Sequence, residues 1–226
     1  AAISMVYLFE RMFLLHGESK YIDCMERSLY NGVISGMSMD GGRFFYPNPL
    51  SSDGKYKFNA DGNTTRQPWF GCACCPSNLC RFIPSVPGYL YGVKGNNIYV
   101  NLFAGNTSTI KVNGKDVVLE ETTEYPWNGD IKIAVKKSGV KNANLLVRIP
   151  GWVRNQVVPS DLYKYSDAEK PAYTVTVNGK AVEADLDANK GYLPVKNIKK
   201  GDVIRIHFDM PIRTVVANGK VADDKG

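Results

Sequence analysis

Ile110-Lys111-Val112-Asn113-Gly114-Lys115-Asp116-Val117-Val118-Leu119 reads as two short strands folded back on an Asn-Gly turn. Asn-Gly flanked by alternating apolar residues is the strongest short-range hairpin signal, because both turn positions need positive φ. The same Val-Asn-Gly-Lys string returns at 177–180, after Tyr173-Thr174-Val175-Thr176. Working outward, residues 97–103, 130–135, 144–150 and 202–208 each show short apolar, mostly alternating runs. Many short strands separated by turn residues predict an antiparallel β-sandwich over 87–226.

The first 86 residues follow a different rule. Ile3, Val6, Tyr7, Phe9, Phe13 and Leu14 recur near helical spacing, and Gly17 is placed to stop that helix. A second helix is expected from Lys20 to Gly36, with Tyr21, Cys24, Leu29, Val33 and Ile34 as its apolar face. Two such helices form an αα-hairpin, which cannot bury its own faces and needs neighbours outside it. Residues 40–70 are rich in Gly, Pro, Asp and Asn, with Phe44, Phe45, Tyr46, Tyr56, Phe58, Trp69 and Phe70 among them. A long aromatic loop of this kind suits function, and the faces of sugar rings pack on aromatic rings. The boundary between the halves is expected near Pro84 to Pro87.

Composition narrows the classes. Hydrophobic residues are 44% and charged residues 22%, the balance of a packed globular chain. No apolar run approaches the ~20 residues that cross a bilayer. Most of the net charge of +6 lies in the second half, mostly as single lysines, without the clustered stripe that nucleic acid requires. No membrane span and no nucleic-acid partner are therefore expected.

All five cysteines precede residue 81: Cys24, Cys72, Cys74, Cys75 and Cys80. Gly71-Cys72-Ala73-Cys74-Cys75-Pro76-Ser77-Asn78 puts three thiols in four residues. Vicinal thiols suit one soft metal, since thiolate is a preferred ligand of zinc. Pro76 favours the first turn of a helix running through Leu79, Phe82 and Ile83, which places the thiols near a helix N-terminus where thiolate is stabilised. A closed structural metal site, or inert buried thiols, fits the same string. Cys24 reads as a small core residue and Cys80 as facing the core of its own helix. The two histidines, His16 and His207, lie far from the cluster in sequence and read as a helix-end and a strand residue.

The string Trp69-Phe70-Gly71-Cys72-Ala73-Cys74-Cys75-Pro76-Ser77-Asn78, with Arg81 and Pro87-Gly88-Tyr89-Leu90-Tyr91, resembles glycoside hydrolase family 127, the β-L-arabinofuranosidases and their relatives. So do Arg11-Met12-Phe13, Glu26-Arg27-Ser28-Leu29-Tyr30-Asn31-Gly32 and Arg43-Phe44-Phe45-Tyr46-Pro47-Asn48-Pro49-Leu50. Arg148-Ile149-Pro150-Gly151-Trp152 continues the likeness more weakly. The resemblance implies an α+β multidomain chain: residues 1–86 as the C-terminal helices of an incomplete (α/α)6 catalytic barrel, and 87–226 as an antiparallel β-sandwich. It implies a retaining hydrolysis in which a zinc-bound cysteine thiolate attacks the anomeric carbon. By position, the nucleophile is Cys74, and Cys74 and Cys75 are ligands of Zn2+. Cys72 has a supporting place near the metal.

The resemblance places the acid/base glutamate and the other zinc ligands outside this chain, upstream of Ala1. Glu10, Glu18 and Glu26 read as exposed helix charges instead. Residues 1–226 alone are expected to hold zinc poorly and not to hydrolyse a glycoside, so the remainder of the polypeptide is the expected partner. The expected substrate is an arabinofuranose-containing oligosaccharide, with Tyr46 as its contact and Trp69 and Phe45 as alternatives. A periplasmic or secreted bacterial location is favoured, with the cytoplasm as the alternative. The competing function is a non-catalytic carbohydrate-binding or interaction module with structural cysteines. It would want exposed aromatics on the sandwich, whereas Trp127 and Trp152 each sit beside or near a proline and read as core or corner packing.

Overall fold

The computed structural model describes residues 1–49, 51–72 and 74–224. Leu50, Ala73 and the terminal Lys225 and Gly226 lie outside them. The chain forms two compact units, one of residues 1–12 and 24–88, the other of residues 13–23 and 89–226.

Helix α1 (Ala2–His16) ends at Gly17, where the spacing places its stop. Val6 and Phe13 are buried, while Tyr7 and Leu14 from the predicted face stay exposed beside Leu8 and Leu15. Helix α2 (Ser19–Arg27) does not continue unbroken to Gly36. It passes into a π-turn (Ser28–Val33) and then a 3-10 turn (Ile34–Gly36). Its buried side is Ile22, Met25, Leu29 and Val33, with Tyr21 and Cys24 only half-buried. Glu26 falls on that same 3.6-residue period and is buried, contrary to the expected exposed charge. Glu10 and Glu18 are half-buried and pair with Arg11 and Lys20.

Helix α3 (Cys74–Phe82) starts two residues before Pro76, so the proline sits in the first turn, where its missing N–H breaks no bond. Phe82 is fully buried, and Tyr7 meets it edge-on at 5.7 Å. Burying a side chain of this size contributes about 1.5–3 kcal/mol. Cys80 is exposed rather than core-facing. A 3-10 segment (Ile83–Tyr89) follows. Among the described residues between 37 and 70, Phe44 bridges Met37 and Gln67, and one short 3-10 turn (Ala60–Gly62) interrupts an otherwise irregular loop.

The second unit is a sandwich of two sheets. Strands β1 (Tyr91–Lys94), β2 (Asn97–Val100), β6 (Asn144–Arg148) and β10 (Tyr192–Val195) form one sheet in the order β1-β2-β6-β10. The other sheet contains β3 (Asn106–Val112), β4 (Lys115–Thr123), β5 (Asp130–Ser138), β8 (Tyr173–Val177), β9 (Lys180–Ala181) and β11 (Val203–Phe208). Its order is β3-β4-β5-β11-β8-β9. A small ribbon pairs β7 (Tyr163–Tyr165) with β12 (Val215–Ala217). The pairing is antiparallel except between β2 and β6, which run parallel.

Both Val-Asn-Gly-Lys strings form the hairpins their residues demand. Val112 pairs with Lys115 across Asn113 and Gly114, at φ 49° and 77°. Val177 pairs with Lys180 across Asn178 and Gly179, at 51° and 81°. Alternation then sorts the side chains. On β11, Ile204, Ile206 and Phe208 face the core, while Arg205 and His207 face out. Ile98, Val147 and Leu193 from one sheet and Ile133, Leu119 and Ile204 from the other share a single core.

The segment Phe13–Asp23, which joins α1 to α2, belongs to this sandwich unit. The reason lies in the Arg148-Ile149-Pro150-Gly151-Trp152 stretch. Arg148 is wholly buried; its Nη1 donates to Asp23 Oδ1 at 2.6 Å and its Nε to the Asn101 carbonyl at 2.5 Å. Arg154 reaches Asp23 Oδ2 at 3.3 Å and Ser19 Oγ at 3.0 Å. Gly191 is required here: its φ is +83°, and a Cβ would lie 1.9 Å from Ser19 Oγ. Trp152 packs edge-on against Phe208 at 5.9 Å, a corner position as expected. Trp127 departs from that expectation and is 81% exposed. Its N–H closes a turn onto the Glu124 carbonyl at 2.8 Å, which leaves the ring in solvent.

Candidate active site

The site is built within the unit of residues 1–12 and 24–88. Two pieces of chain make it: the start of α3, which supplies thiols, and the aromatic loop, which supplies Tyr46. The loop is pinned at several points. Phe44 and Gln67 exchange backbone hydrogen bonds, each at 3.0 Å, and Phe45 N–H reaches the Gly36 carbonyl at 2.9 Å. Asn59, buried in the loop, accepts the Tyr46 N–H at 2.7 Å and donates to the Thr65 carbonyl at 2.9 Å. Arg66 lies over the Phe45 ring at 4.4 Å and donates to the Ser35 carbonyl at 2.6 Å. The Tyr46 ring then rests edge-on against the buried Phe70 at 5.5 Å. These contacts leave the Tyr46 backbone and ring little freedom.

So held, the Tyr46 hydroxyl lies 2.8 Å from Cys74 Sγ and 3.5 Å from Cys72 Sγ. Cys74 Sγ is 3.7 Å from each of its neighbours, Cys72 Sγ and Cys75 Sγ. Cys72 and Cys74 are exposed and Cys75 is half-buried. The three thiols therefore differ in character. The Tyr46 hydroxyl, followed by the Cys72 and Cys75 thiols, lowers the Cys74 pKa by hydrogen bonding to its sulfur. The same bond, with Cys74 as its other end, raises the Tyr46 pKa. Burial, reinforced by Cys74, raises that of Cys75. Cys74 is thus poised to ionise before Cys75, with Tyr46 as the donor to its thiolate.

A cavity of about 510 Å³ opens beside this cluster, lined in part by Val33, Gly36, Phe45, Tyr46, Cys75 and Asn78. Its volume lies within the usual range for small-ligand sites, roughly 300–1,000 Å³. Aromatic, thiol and amide groups converge on it. Trp69, an alternative to Tyr46 on sequence grounds, is 60% exposed, and Phe45 lines the cavity.

Two thiolates held tetrahedrally at ~2.3 Å from one zinc lie about 3.8 Å apart. The Cys74–Cys75 separation of 3.7 Å matches that edge. Among the described residues, however, no group of three or more His, Cys, Asp or Glu side chains could hold a metal ion. The thiol pair fits part of a zinc site and leaves the rest of the ligand set unfilled. The two histidines stand elsewhere, His16 in the last turn of α1 and His207 on β11. No helix among the described residues is long and apolar enough to cross a membrane.

The sequence reading brought forward Tyr46, Cys72, Cys74 and Cys75, and the structure gathers all four. It missed Asn59 and Arg66, which fix the loop. Asn59 stands in a run of turn-forming residues, and nothing local signals its bond to a backbone 13 residues away.

Comparison with known proteins gives a consistent result. Residues 1–88 match the model described as the GH127 catalytic domain of β-L-arabinofuranosidase, and residues 97–210 match the GH127 middle domain. A non-reducing end β-L-arabinofuranosidase of Bifidobacterium longum subsp. longum is 31% identical over 236 residues, covering 100% of this chain and 32% of that protein. A solved GH127 β-arabinofuranosidase is 55% identical with a TM-score of 0.90, over 99% of this chain and 34% of its own. A GH127 β-L-arabinofuranosidase from Geobacillus stearothermophilus T6 is 34% identical with a TM-score of 0.79, over 97% and 33%. The chain spans about a third of the length of these relatives. With both family models matched in order and the likeness running through helices and sandwich alike, the chain belongs to glycoside hydrolase family 127.

Proposed function

We propose that the chain is part of a retaining glycoside hydrolase acting on β-L-arabinofuranosides or related plant cell-wall sugars, with Cys74 as nucleophile. The observation that carries this reading is the 2.8 Å contact between the Tyr46 hydroxyl and Cys74 Sγ, within a cluster of three thiols beside a cavity. Names borne by the relatives support the substrate class. In this reading the helices of residues 1–86 are the last of an (α/α)6 barrel.

Retention requires two successive inverting displacements at the anomeric carbon, the first from the face opposite the leaving group and the second from the face it left. The Cys74 thiolate attacks the anomeric carbon, the C–S bond forms, and the glycosidic C–O bond breaks. The leaving alkoxide takes a proton from a carboxylic acid supplied by the rest of the polypeptide. Water, deprotonated by the resulting carboxylate, then displaces Cys74 and restores the thiolate. Tyr46 holds a proton at its hydroxyl and donates it as a hydrogen bond to sulfur, orienting the nucleophile and steadying its charge. Cys74 and Cys75 would hold Zn2+ together with ligands from outside this chain. Zinc, when bound, supplies a charge that keeps thiolates ionised at neutral pH.

The full-length protein should release arabinose from an aryl β-L-arabinofuranoside, hold about one zinc, and trap a sugar on Cys74 detectable by peptide mass. Replacing Cys74→Ser should abolish turnover. Full activity in that variant would exclude Cys74 as nucleophile. The competing reading, a sandwich that binds carbohydrate, draws on the exposure of Trp127.

A further inference from the structure

We infer that the sandwich carries a second, non-catalytic carbohydrate site: a groove at the end of strand β11, in the middle of its six-stranded sheet, that seats a neutral glycan chain on Trp127. The groove has a volume of about 660 Å³ and lies wholly within the sandwich unit. Trp127, Asn128, Lys170, His207, Asp209 and Met210 help to line it.

Trp127 is the first reason. An exposed tryptophan forgoes a large hydrophobic gain, and this one is 81% exposed on a turn that is firmly braced. Its own N–H bonds to the Glu124 carbonyl at 2.8 Å. Asn128 donates to Glu124 Oε2 at 2.9 Å and accepts the Asp130 N–H at 3.0 Å. Gly129 packs so tightly on β11 that a Cβ would lie 1.9 Å from the Phe208 carbonyl oxygen, and Phe208 N–H bonds back to the Gly129 carbonyl at 3.1 Å. The turn that presents the ring is thus held in place. Preorganisation of that kind lowers the ordering cost of binding.

The second reason is the polar floor beside the platform. His207 is clamped through both ring nitrogens, Nδ1 to Asp130 at 2.7 Å and Nε2 to Asp209 at 3.1 Å. Beyond His207 the outer sheet face continues as a second groove of about 580 Å³ bearing Thr174, Thr176 and Arg205. His207 lines both grooves. A flat ring at one end of a shallow trough, followed by hydroxyl, carboxylate and imidazole groups, matches the C–H face and the hydroxyls of successive sugars. Across the two grooves the acids Glu169, Asp209 and Asp130 are matched by the bases Lys170, Lys132 and Arg205. That balance gives an acidic glycan no net attraction and suits a neutral one.

The test uses the full-length protein. Affinity electrophoresis through gels carrying neutral arabinan should retard the wild type and Cys74→Ser equally, which separates this site from the catalytic one. Trp127→Ala should weaken retardation about fivefold or more, and Trp127→Tyr should restore most of it. Trp127→Ala should hydrolyse a small aryl arabinofuranoside at the wild-type rate, and acrylamide should quench Trp127 fluorescence, read as the difference from Trp127→Phe. Equal retardation of wild type and Trp127→Ala, or no retardation of the wild type, would overturn the inference. Polygalacturonate retarding as well as arabinan would overturn its choice of a neutral glycan. A Trp127 that acrylamide cannot reach would assign the groove to the rest of the polypeptide instead.

Discussion

Asp23 and Arg148 stand 125 residues apart in sequence and 2.6 Å apart in the fold, with the Arg148 side chain wholly buried and that of Asp23 only 17% exposed. Arg154 approaches the other carboxylate oxygen of Asp23. One acid of α2 thus serves two guanidinium groups.

Removing that acid takes a carboxylate partner from the wholly buried Arg148. Asp23→Ala should cost about 3–5 kcal/mol, the scale found when one partner of a buried pair is lost. The readout is urea unfolding of the full-length protein. A double change, Asp23→Leu with Arg148→Met, should cost less than Asp23→Ala alone, because the wholly buried guanidinium goes with the acid while Arg154 keeps some access to water.

Tyr46 can be tested apart from catalysis. With zinc removed by a chelator, iodoacetamide should alkylate Cys74 at lower pH than Cys75, since Cys74 is shifted down and Cys75 up. Tyr46→Phe removes the leading cause of the Cys74 shift. The midpoint of Cys74 alkylation should therefore rise, as read by peptide mass spectrometry. An unmoved midpoint would leave Tyr46 without its role on sulfur.

Glu121 predicts a pH dependence in the sandwich. It is 2% exposed, meets the Tyr91 hydroxyl at 3.0 Å and the Ala104 N–H at 3.2 Å, and burial pushes its pKa up to about 8. An unfolded Glu titrates near ~4.3. The folded value is the higher one, so the folded state favours the protonated form. Its contribution is fully present below about pH 4 and is lost as pH rises to about 8. Across that window the slope of unfolding free energy should approach about −1.4 kcal/mol per pH unit. Glu121→Gln should flatten the slope in denaturant titrations run at several pH values. An unchanged slope would contradict the burial effect.

Gly191→Ala adds a methyl where Ser19 Oγ already lies, at a φ of +83°. It should destabilise by at least about 1–3 kcal/mol. Gly88→Ala meets nothing within 4 Å and makes a control. It should stay within about 0.5 kcal/mol. Thermal unfolding compares the two.

What the residues disclose in advance is whatever is decided locally. The two Asn-Gly hairpins, the stop at Gly17 and the alternation on β11 depend on neighbours a few positions away. The thiols of Cys72, Cys74 and Cys75 announce their chemistry by crowding alone. Contacts set at long range stayed hidden. Arg148 reads as a basic residue at a strand end until Asp23 is brought to it. Glu26 reads as surface charge until Ile22 and Met25, in place of Tyr21 and Cys24, turn out to be buried beside it. Trp127, next to a proline, reads as corner packing, because no local rule says that its turn faces solvent.

The segment Phe13–Asp23 has a consequence for how this family exchanges parts. Its residues lie in the first tenth of the chain but are held by Arg148, Arg154 and Gly191. A recombination that joined the helical half of one relative to the sandwich of another at residue 88 would separate a helical turn from its socket. Asp23, Ser19, Arg148 and Gly191 would have to be inherited together. The cut in the polypeptide and the seam in the energetics fall at different places, which ties the two halves to a common lineage.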